Sequence, residues 1–143
     1  MVHQVYLGLG SNLGDGRANL ERAVSLIGER VGQVTRQSSF VTSRPWGFES
    51  PHLFTNAVIL CETTQSPREV LATTQQIERD MGRTKKTPAS QLSAHTYSDR
   101  VIDIDSLLYD GLTIDEPDLK VPHPLMHQRD FVMRPLEEIY SKH

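Results

Sequence analysis

The run FTNAVILCET, residues 54–63, holds five consecutive apolar residues from Ala57 to Cys61, and it restricts the fold more than any other stretch. It reads as a strand, and its apolar centre requires cover on both faces. Such a strand belongs inside a sheet, so the neighbouring segments must supply its partners and its cover.

The start of the chain offers one partner. In VYLGLGSN, Val5, Leu7 and Leu9 alternate with Tyr6 and Gly8, which reads as a strand running into a turn at Gly14-Asp15-Gly16. A helix follows, because Leu20, Ala23, Val24, Ile27 and Val31 fall on one stripe, with Gly32 as its expected stop. Residues 33–42, QVTRQSSFVT, mix β-branched and polar side chains, predicting a single strand exposed on one side. SRPWGFESPH is irregular, broken by Pro45, Gly47 and Pro51. A second helix opens at Ser66-Pro67-Arg68-Glu69, where Ser66 can cap, Pro67 suits the first helical position and Glu69 can complete a capping box. Val70, Thr74, Ile77 and Met81 line its apolar face and Gly82 can end it.

From Arg83 to Asp99 there is no period, and a loop of that length in a compact domain commonly serves as a lid or binding loop. The strand RVIDIDSLLY (100–109) follows, then a turn at Asp110-Gly111 and a short strand near LTID. The last segment predicts a proline-marked turn and a short helix. The order β-α-β-β-α-β with a C-terminal extension is a ferredoxin-like α+β arrangement, an antiparallel sheet with helices packed on one face. A length of 143 residues suits one domain, 1–143. That topology hosts many unrelated activities, so function must come from the side chains.

Composition narrows the classes. A net charge of -3 with no run of like charges is unlike a general nucleic-acid binder. No signal segment or membrane-length apolar run occurs, so a cytoplasmic protein with neither membrane nor nucleic acid as partner is expected. The lone Cys61 has no internal disulfide partner and reads as a small buried hydrophobe.

The chemistry concentrates around RVIDIDSLLY. In a strand, residues two apart share a face with Cα atoms roughly 6.6 Å apart. Ile102 and Ile104 therefore take the core face, and Asp103 and Asp105 project together from the other. Two carboxylates so placed repel unless a cation sits beside them, and hard oxygen ligands on a rigid strand suit Mg²⁺, whose other positions are filled by water and phosphate. The bland alternative is a solvated sheet face. Arg83, Lys85 and Lys86 open the long loop, Arg100 precedes the acids, and His123 and Arg129 follow them. An acid pair with cations gathered at segment junctions is what a metal–polyphosphate site needs. Trp46, Phe54 and Phe131 could stack on a flat heterocycle, and Asn56 could read its edge as donor and acceptor, although core packing also accounts for either phenylalanine. No phosphate-binding loop, zinc spacing or nucleophile elbow is present, and GLGSNLG matches a dinucleotide fingerprint only loosely.

Several motifs along the chain together carry a resemblance. They are GSNLGD at 10–15, SSF at 38–40, Pro45-Trp46-Gly47, Phe54-Thr55-Asn56-Ala57 and Ile77-Glu78 leading to Gly82-Arg83. Most specific is R-x-x-D-x-D at 100–105, followed by Val121-Pro122-His123-Pro124 and Arg129-Asp130-Phe131. Over nearly the whole chain these resemble one family, the 6-hydroxymethyl-7,8-dihydropterin pyrophosphokinases of folate synthesis. The resemblance implies a ferredoxin-like enzyme that moves pyrophosphate from ATP to the pterin hydroxymethyl group and releases AMP.

By position, the resemblance implies that Asp103 and Asp105 hold two Mg²⁺ ions on the ATP phosphates. Arg83, Lys85, Arg100, His123 and Arg129 would bind or neutralise those phosphates, and Gln75, Glu78 and Tyr97 would line the nucleotide side. Arg83 and Arg100 would join the acids as the catalytic set. Phe54 and Phe131 would sandwich the pterin, and Ser43, Asn56 and the Pro45, Trp46 and Gly47 loop would read its edge. The long loop would close over ATP.

The chain departs from the family in places. Ala94-His95-Thr96-Tyr97-Ser98-Asp99 stands where tryptophan and arginine are frequent, with Tyr97 in the tryptophan's place. Lys85 replaces a common Arg, and Ser43 a common Thr. A monomer is expected, and since the chain ends soon after LEEIY, so is the absence of a fused second folate enzyme. Two rivals explain less. A non-catalytic ferredoxin-like module binding a small ligand would leave the acid pair beside clustered cations without a purpose. An RNA-recognition domain would need exposed aromatics on central strands rather than aspartates.

Overall fold

The structure is a computed structural model that describes residues 1–43, 53–82 and 101–140. Its elements are β1 (His3–Ser11), α1 (Gly16–Arg30), β2 (Gly32–Gln37), β3 (Val41–Ser43), β4 (Phe54–Thr63), α2 (Pro67–Asp80), β5 (Asp103–Tyr109), β6 (Ile114–Glu116), β7 (Leu119–Val121) and α3 (Asp130–Ile139). The main sheet runs β2-β4-β1-β5, with β3 also pairing β4, and every pairing is antiparallel. The ferredoxin-like order is therefore present, with the apolar run of β4 at its centre. Among the described residues no helix is long and apolar enough to cross a membrane.

Both faces of β4 are covered, as its composition requires. Ala57, Ile59 and Cys61 join Val5, Leu7, Leu9, Ile102 and Ile104 beneath Leu20, Ala23 and Ile27 of α1 and Val70 and Ile77 of α2. Val58 and Leu60 face the other way, with Tyr6 and Leu107, against Met126 and Val132, Leu136 and Ile139 of α3. The C-terminal extension thus closes the face that α1 and α2 leave open. A fully buried aliphatic side chain in either cluster contributes about 1.5–3 kcal/mol.

Local signals set both long helices. Asp15 caps α1, its carboxylate accepting the Ala18 N–H at 3.1 Å. Ser66 and Glu69 form the expected reciprocal box at α2, and Gly82 follows the helix at φ +117°. Gly32 directly follows the C-cap Val31, where the stop is expected, but it is not in the left-handed conformation of a glycine cap. The helix already ends at Val31, and Gly32 opens β2, where a Cβ would lie 2.0 Å from the Glu62 carbonyl oxygen. Glycine is required there by the close approach of β4 rather than by a helix stop.

The single strand expected over 33–42 is two strands. At Ser38 the backbone N–H donates to Val58 O and the Ser38 hydroxyl accepts the Val58 N–H, both at 2.9 Å. A side chain replaces a backbone acceptor there and interrupts the strand. The next residue anchors α3: Ser39 N–H and hydroxyl both donate to Glu138 Oε1 at 2.8 Å, and Arg36 Nη1 donates to Ile139 O at 3.1 Å. The short strand near LTID is β6, and it pairs with β7, which the sequence reading did not identify.

Candidate active site

Register on the α3 side of the sheet puts the chemistry in one place. Gly10 of β1 pairs with Asp103 of β5 on one side and with Asn56 of β4 on the other. Two interstrand spacings, roughly 10 Å, therefore separate the acid strand from Asn56. Gly8 likewise pairs with Asp105 and with Val58. Ile102 and Ile104 are buried under the helices, and Asp103 and Asp105 are half-buried on the opposite face, as their alternation predicts.

The acids sit in a dense electrostatic cluster. Glu78, 6% exposed on α2, reaches the edge of β5, and its Oε2 accepts the Ile104 N–H at 2.8 Å. Burial, then the charges of Asp103 and Glu78, hold the Asp105 carboxyl well above the ordinary carboxylate range, against the opposing Arg129 guanidinium. Arg129 is buried at the start of α3, its guanidinium 5.8 Å from the Phe131 ring centroid. His123 is pinned to β5 through its N–H, which donates to Leu107 O at 3.0 Å. Its Nδ1 accepts the Leu125 N–H at 3.2 Å, leaving Nε2 to carry the ring proton. Burial, then the Arg129 charge, holds the imidazole below its ordinary value, with Asp103 opposing.

This donor set fits a hard divalent cation. Two neighbouring carboxylates, one with its charge disfavoured by burial and by other acids, gain most from added positive charge. No group of three or more His, Cys, Asp or Glu side chains is gathered for a metal among the described residues. Two carboxylates alone suit Mg²⁺, which completes its shell with water and phosphate oxygens, rather than a metal caged wholly by protein.

The second half of the site lies across Gly10. Asn56 is 4% exposed and its Nδ2 donates to Ser43 Oγ of β3 at 2.8 Å, which fixes the amide and leaves Oδ1 beside Gly10. Phe54 is two residues earlier on the same face of β4, half-buried, and Phe131 packs against the α3-side cluster. A Cβ on Gly10 would lie 3.2 Å from Asn56 Oδ1 and 3.5 Å from Phe54 Cδ1. The sequence reading did not single out Gly10 as a site residue, although alternate glycines inside a strand are a signal of close approach.

A cleft of about 240 Å³ opens along the outer edge of β5, where Asp105, Ser106 and His123 meet Leu71 of α2 and Asp118 and Leu119 of the β6–β7 hairpin. A larger cleft of about 500 Å³ lies at α3 among Leu108, Met126, Met133 and Tyr140, and none of the predicted site residues among the described ones lines it. Gln75 is half-buried on α2, one turn before Glu78. The structure thus brings together Asp103, Asp105, Glu78, His123 and Arg129, and separately Ser43, Phe54 and Asn56 on the same sheet face. Pro45, Trp46, Gly47, Arg83, Lys85, Tyr97 and Arg100 lie outside the described residues.

Comparison with known proteins identifies the family of the chain and matches its fold. A family model described as 7,8-dihydro-6-hydroxymethylpterin-pyrophosphokinase (HPPK) matches residues 6–141. A 2-amino-4-hydroxy-6-hydroxymethyldihydropteridine pyrophosphokinase of Porphyromonas gingivalis is 46% identical over 136 residues, covering 94% of this chain and 89% of the relative. The Bacillus subtilis protein of the same name is 38% identical over 140 residues, covering 97% of this chain and 79% of the relative. In fold, the chain is similar to the Plasmodium falciparum HPPK-DHPS wild-type crystal structure, with a TM-score of 0.73 at 14% identity over 96% of this chain and 41% of that one. The match over residues 6–141 and the 46% identity over nearly the full length of a relative show that this chain belongs to the 7,8-dihydro-6-hydroxymethylpterin-pyrophosphokinase family.

Proposed function

We infer that this chain transfers the terminal pyrophosphoryl group of ATP to the hydroxymethyl oxygen of 6-hydroxymethyl-7,8-dihydropterin and releases AMP, in a cytoplasmic, monomeric enzyme dependent on Mg²⁺. The observation that carries the reading is the position of Gly10 between Asp103 and Asn56. One side-chain-free residue separates Asp103 from Asn56 on a single sheet face, which supports reading the acids as a phosphate-and-metal half-site and Asn56 with Phe54 as a ring-binding half-site.

The hydroxymethyl oxygen bonds to the β-phosphorus, the bond from that phosphorus to the oxygen bridging to the α-phosphorus breaks, and the hydroxyl proton is lost. Charge develops on the departing AMP oxygen, so stabilisation of anionic oxygens matters more than a strong base. Asp103 and Asp105 would hold two Mg²⁺ ions, which would supply positive charge against the phosphate oxygens. Arg129 supplies fixed positive charge, and His123 offers Nε2–H as a donor. Arg83, Lys85 and Arg100 extend that positive wall in this reading. Phe54 and Phe131 stack on the pterin, Ser43 and Asn56 read its edge with the Pro45, Trp46 and Gly47 loop, and Gln75 and Tyr97 face the nucleotide. The 240 Å³ cleft continues from Asp105 and His123 and has apolar walls in Leu71 and Leu119, which suits the ATP base. Glu78 acts on the nucleotide side through β5, whose backbone it holds at Ile104.

Incubating the chain with ATP, Mg²⁺ and the pterin tests this directly. AMP is expected to form in step with pterin consumption and not to form when the pterin is omitted. Formation of ADP, or AMP independent of pterin, would overturn the assignment.

A further inference from the structure

Two walls of the cleft beside Asp105 come from different elements: Leu71 from α2, and Asp118, Leu119 and Lys120 from the β6–β7 hairpin. Leu119 and Val121 anchor the hairpin in the core. Its far end at Pro117-Asp118 is exposed and lies outside that core cluster. One side chain crosses from α2 to that end. Arg68, one helical turn before Leu71, donates from Nη1 to Asp118 Oδ2 at 2.8 Å and from Nη2 to Glu116 Oε1. A guanidinium holds two donors in a fixed plane, so a fork on two carboxylates fixes direction as well as distance, which a lysine cannot reproduce. Lys120, directly opposite Asp115 and bonded to it at 2.5 Å, stiffens the same hairpin across its strands.

We propose that Arg68 is a positioning residue for the nucleotide base: by bracing the hairpin against α2 it sets the width of the cleft that receives the base. The proposal rests on the reading of that cleft as the base site of ATP. Among the described residues the side-chain bonds of Arg68 go to Asp118 and Glu116 and not to the acid pair, Phe54 or Asn56, so its influence falls on the base end of the nucleotide. Being half-exposed, the fork has a modest effect that weakens with salt.

Calorimetric binding of Mg²⁺-ATP and of Mg²⁺-tripolyphosphate to the full chain separates the possibilities, because tripolyphosphate carries no base. R68A is expected to weaken ATP binding about two- to fivefold and leave tripolyphosphate binding unchanged. R68K is expected to recover less than half of the loss. R68A and D118A combined are expected to cost less than the sum of the two, as for groups acting through one contact. In turnover, KM for ATP is expected to rise while kcat and the KM for the pterin stay constant. Unchanged ATP affinity in R68A, equal weakening of tripolyphosphate, or strict additivity with D118A would overturn the brace. Failure of the wild-type chain to form AMP while binding ATP overturns the enzymatic reading alone, and failure to bind ATP overturns both.

Discussion

Glu78 of α2 accepts the backbone N–H of Ile104 at 2.8 Å, so a helix carboxylate holds the residue that lies between Asp103 and Asp105. The bond ties the edge strand of the sheet to the helix layer at the point where the two acids must keep their spacing. A buried N–H that loses its acceptor costs about 1–3 kcal/mol. Glu78→Ala is therefore expected to lower unfolding free energy by that amount in urea. Glu78→Gln, which keeps an acceptor oxygen, should lose less. Identical urea midpoints for Glu78→Ala and the wild type would remove the anchor from the account.

The second expectation concerns metal. Burial and the charges of Asp103 and Glu78 disfavour an ionised Asp105, and a cation reverses that penalty. Mg²⁺ with ATP should raise the melting temperature, and EDTA should cancel the rise. Saturation about 100-fold above the dissociation constant corresponds to about 2.7 kcal/mol. Asp105→Asn should abolish the metal-dependent part of the shift and lower turnover by about 10³, the equivalent of several kcal/mol of lost charge stabilisation. Its metal-free melting temperature should not fall, because the substitution removes a repulsion. Full activity in Asp105→Asn would contradict the metal assignment.

Gly10 supplies a third. A methyl group there meets Asn56 Oδ1 at 3.2 Å and Phe54 at 3.5 Å, and the Asn56 amide is already committed to Ser43. Under the proposed placement of the pterin ring on Phe54 and Asn56, Gly10→Ala should raise the KM for the pterin about tenfold, since a displacement of a few tenths of an ångström disturbs that register. The KM for ATP should change less. An equal rise in both would place the disturbance in the sheet rather than at the ring.

Sequence legibility divides along physical lines. The face taken by Asp103 and Asp105, the capping box at Ser66 and the stripe of α1 depend on spacing along the chain, and spacing is visible in the sequence. The break at Ser38, the close approach at Gly32 and the reach of Glu78 to Ile104 depend on which strand lies alongside, which no local pattern encodes. β7 was illegible because three residues with two buried ends show too little alternation to mark a strand. Gly10 sits between these cases: its glycine signal was local, but its meaning required the partners Asn56 and Asp103. The roles of Arg83, Lys85 and Arg100 rest on resemblance, since those residues lie outside the described structure.

Cys61 gives a test of the core itself. Its side chain is fully buried in β4, and burial, with the Glu62 charge second, pushes the thiol from 9.0 up to about 11. A folded value raised above the unfolded one means the native state keeps its proton after the unfolded state has lost it. The contribution to stability is therefore complete below about pH 9 and is lost as pH rises towards 11. Two pKa units correspond to about 2–3 kcal/mol at the alkaline limit. Cys61→Ala removes this component while leaving the other alkaline titrations in place. The stability difference between wild type and Cys61→Ala, read from urea midpoints at pH 7.5, 9 and 10.5, should shrink steadily with pH. Native protein at pH 8 should also resist iodoacetamide and react once unfolded, because the thiolate is the nucleophile. A stability difference that stays constant to pH 10.5, or fast alkylation of the folded chain, would show that β4 does not shield the thiol.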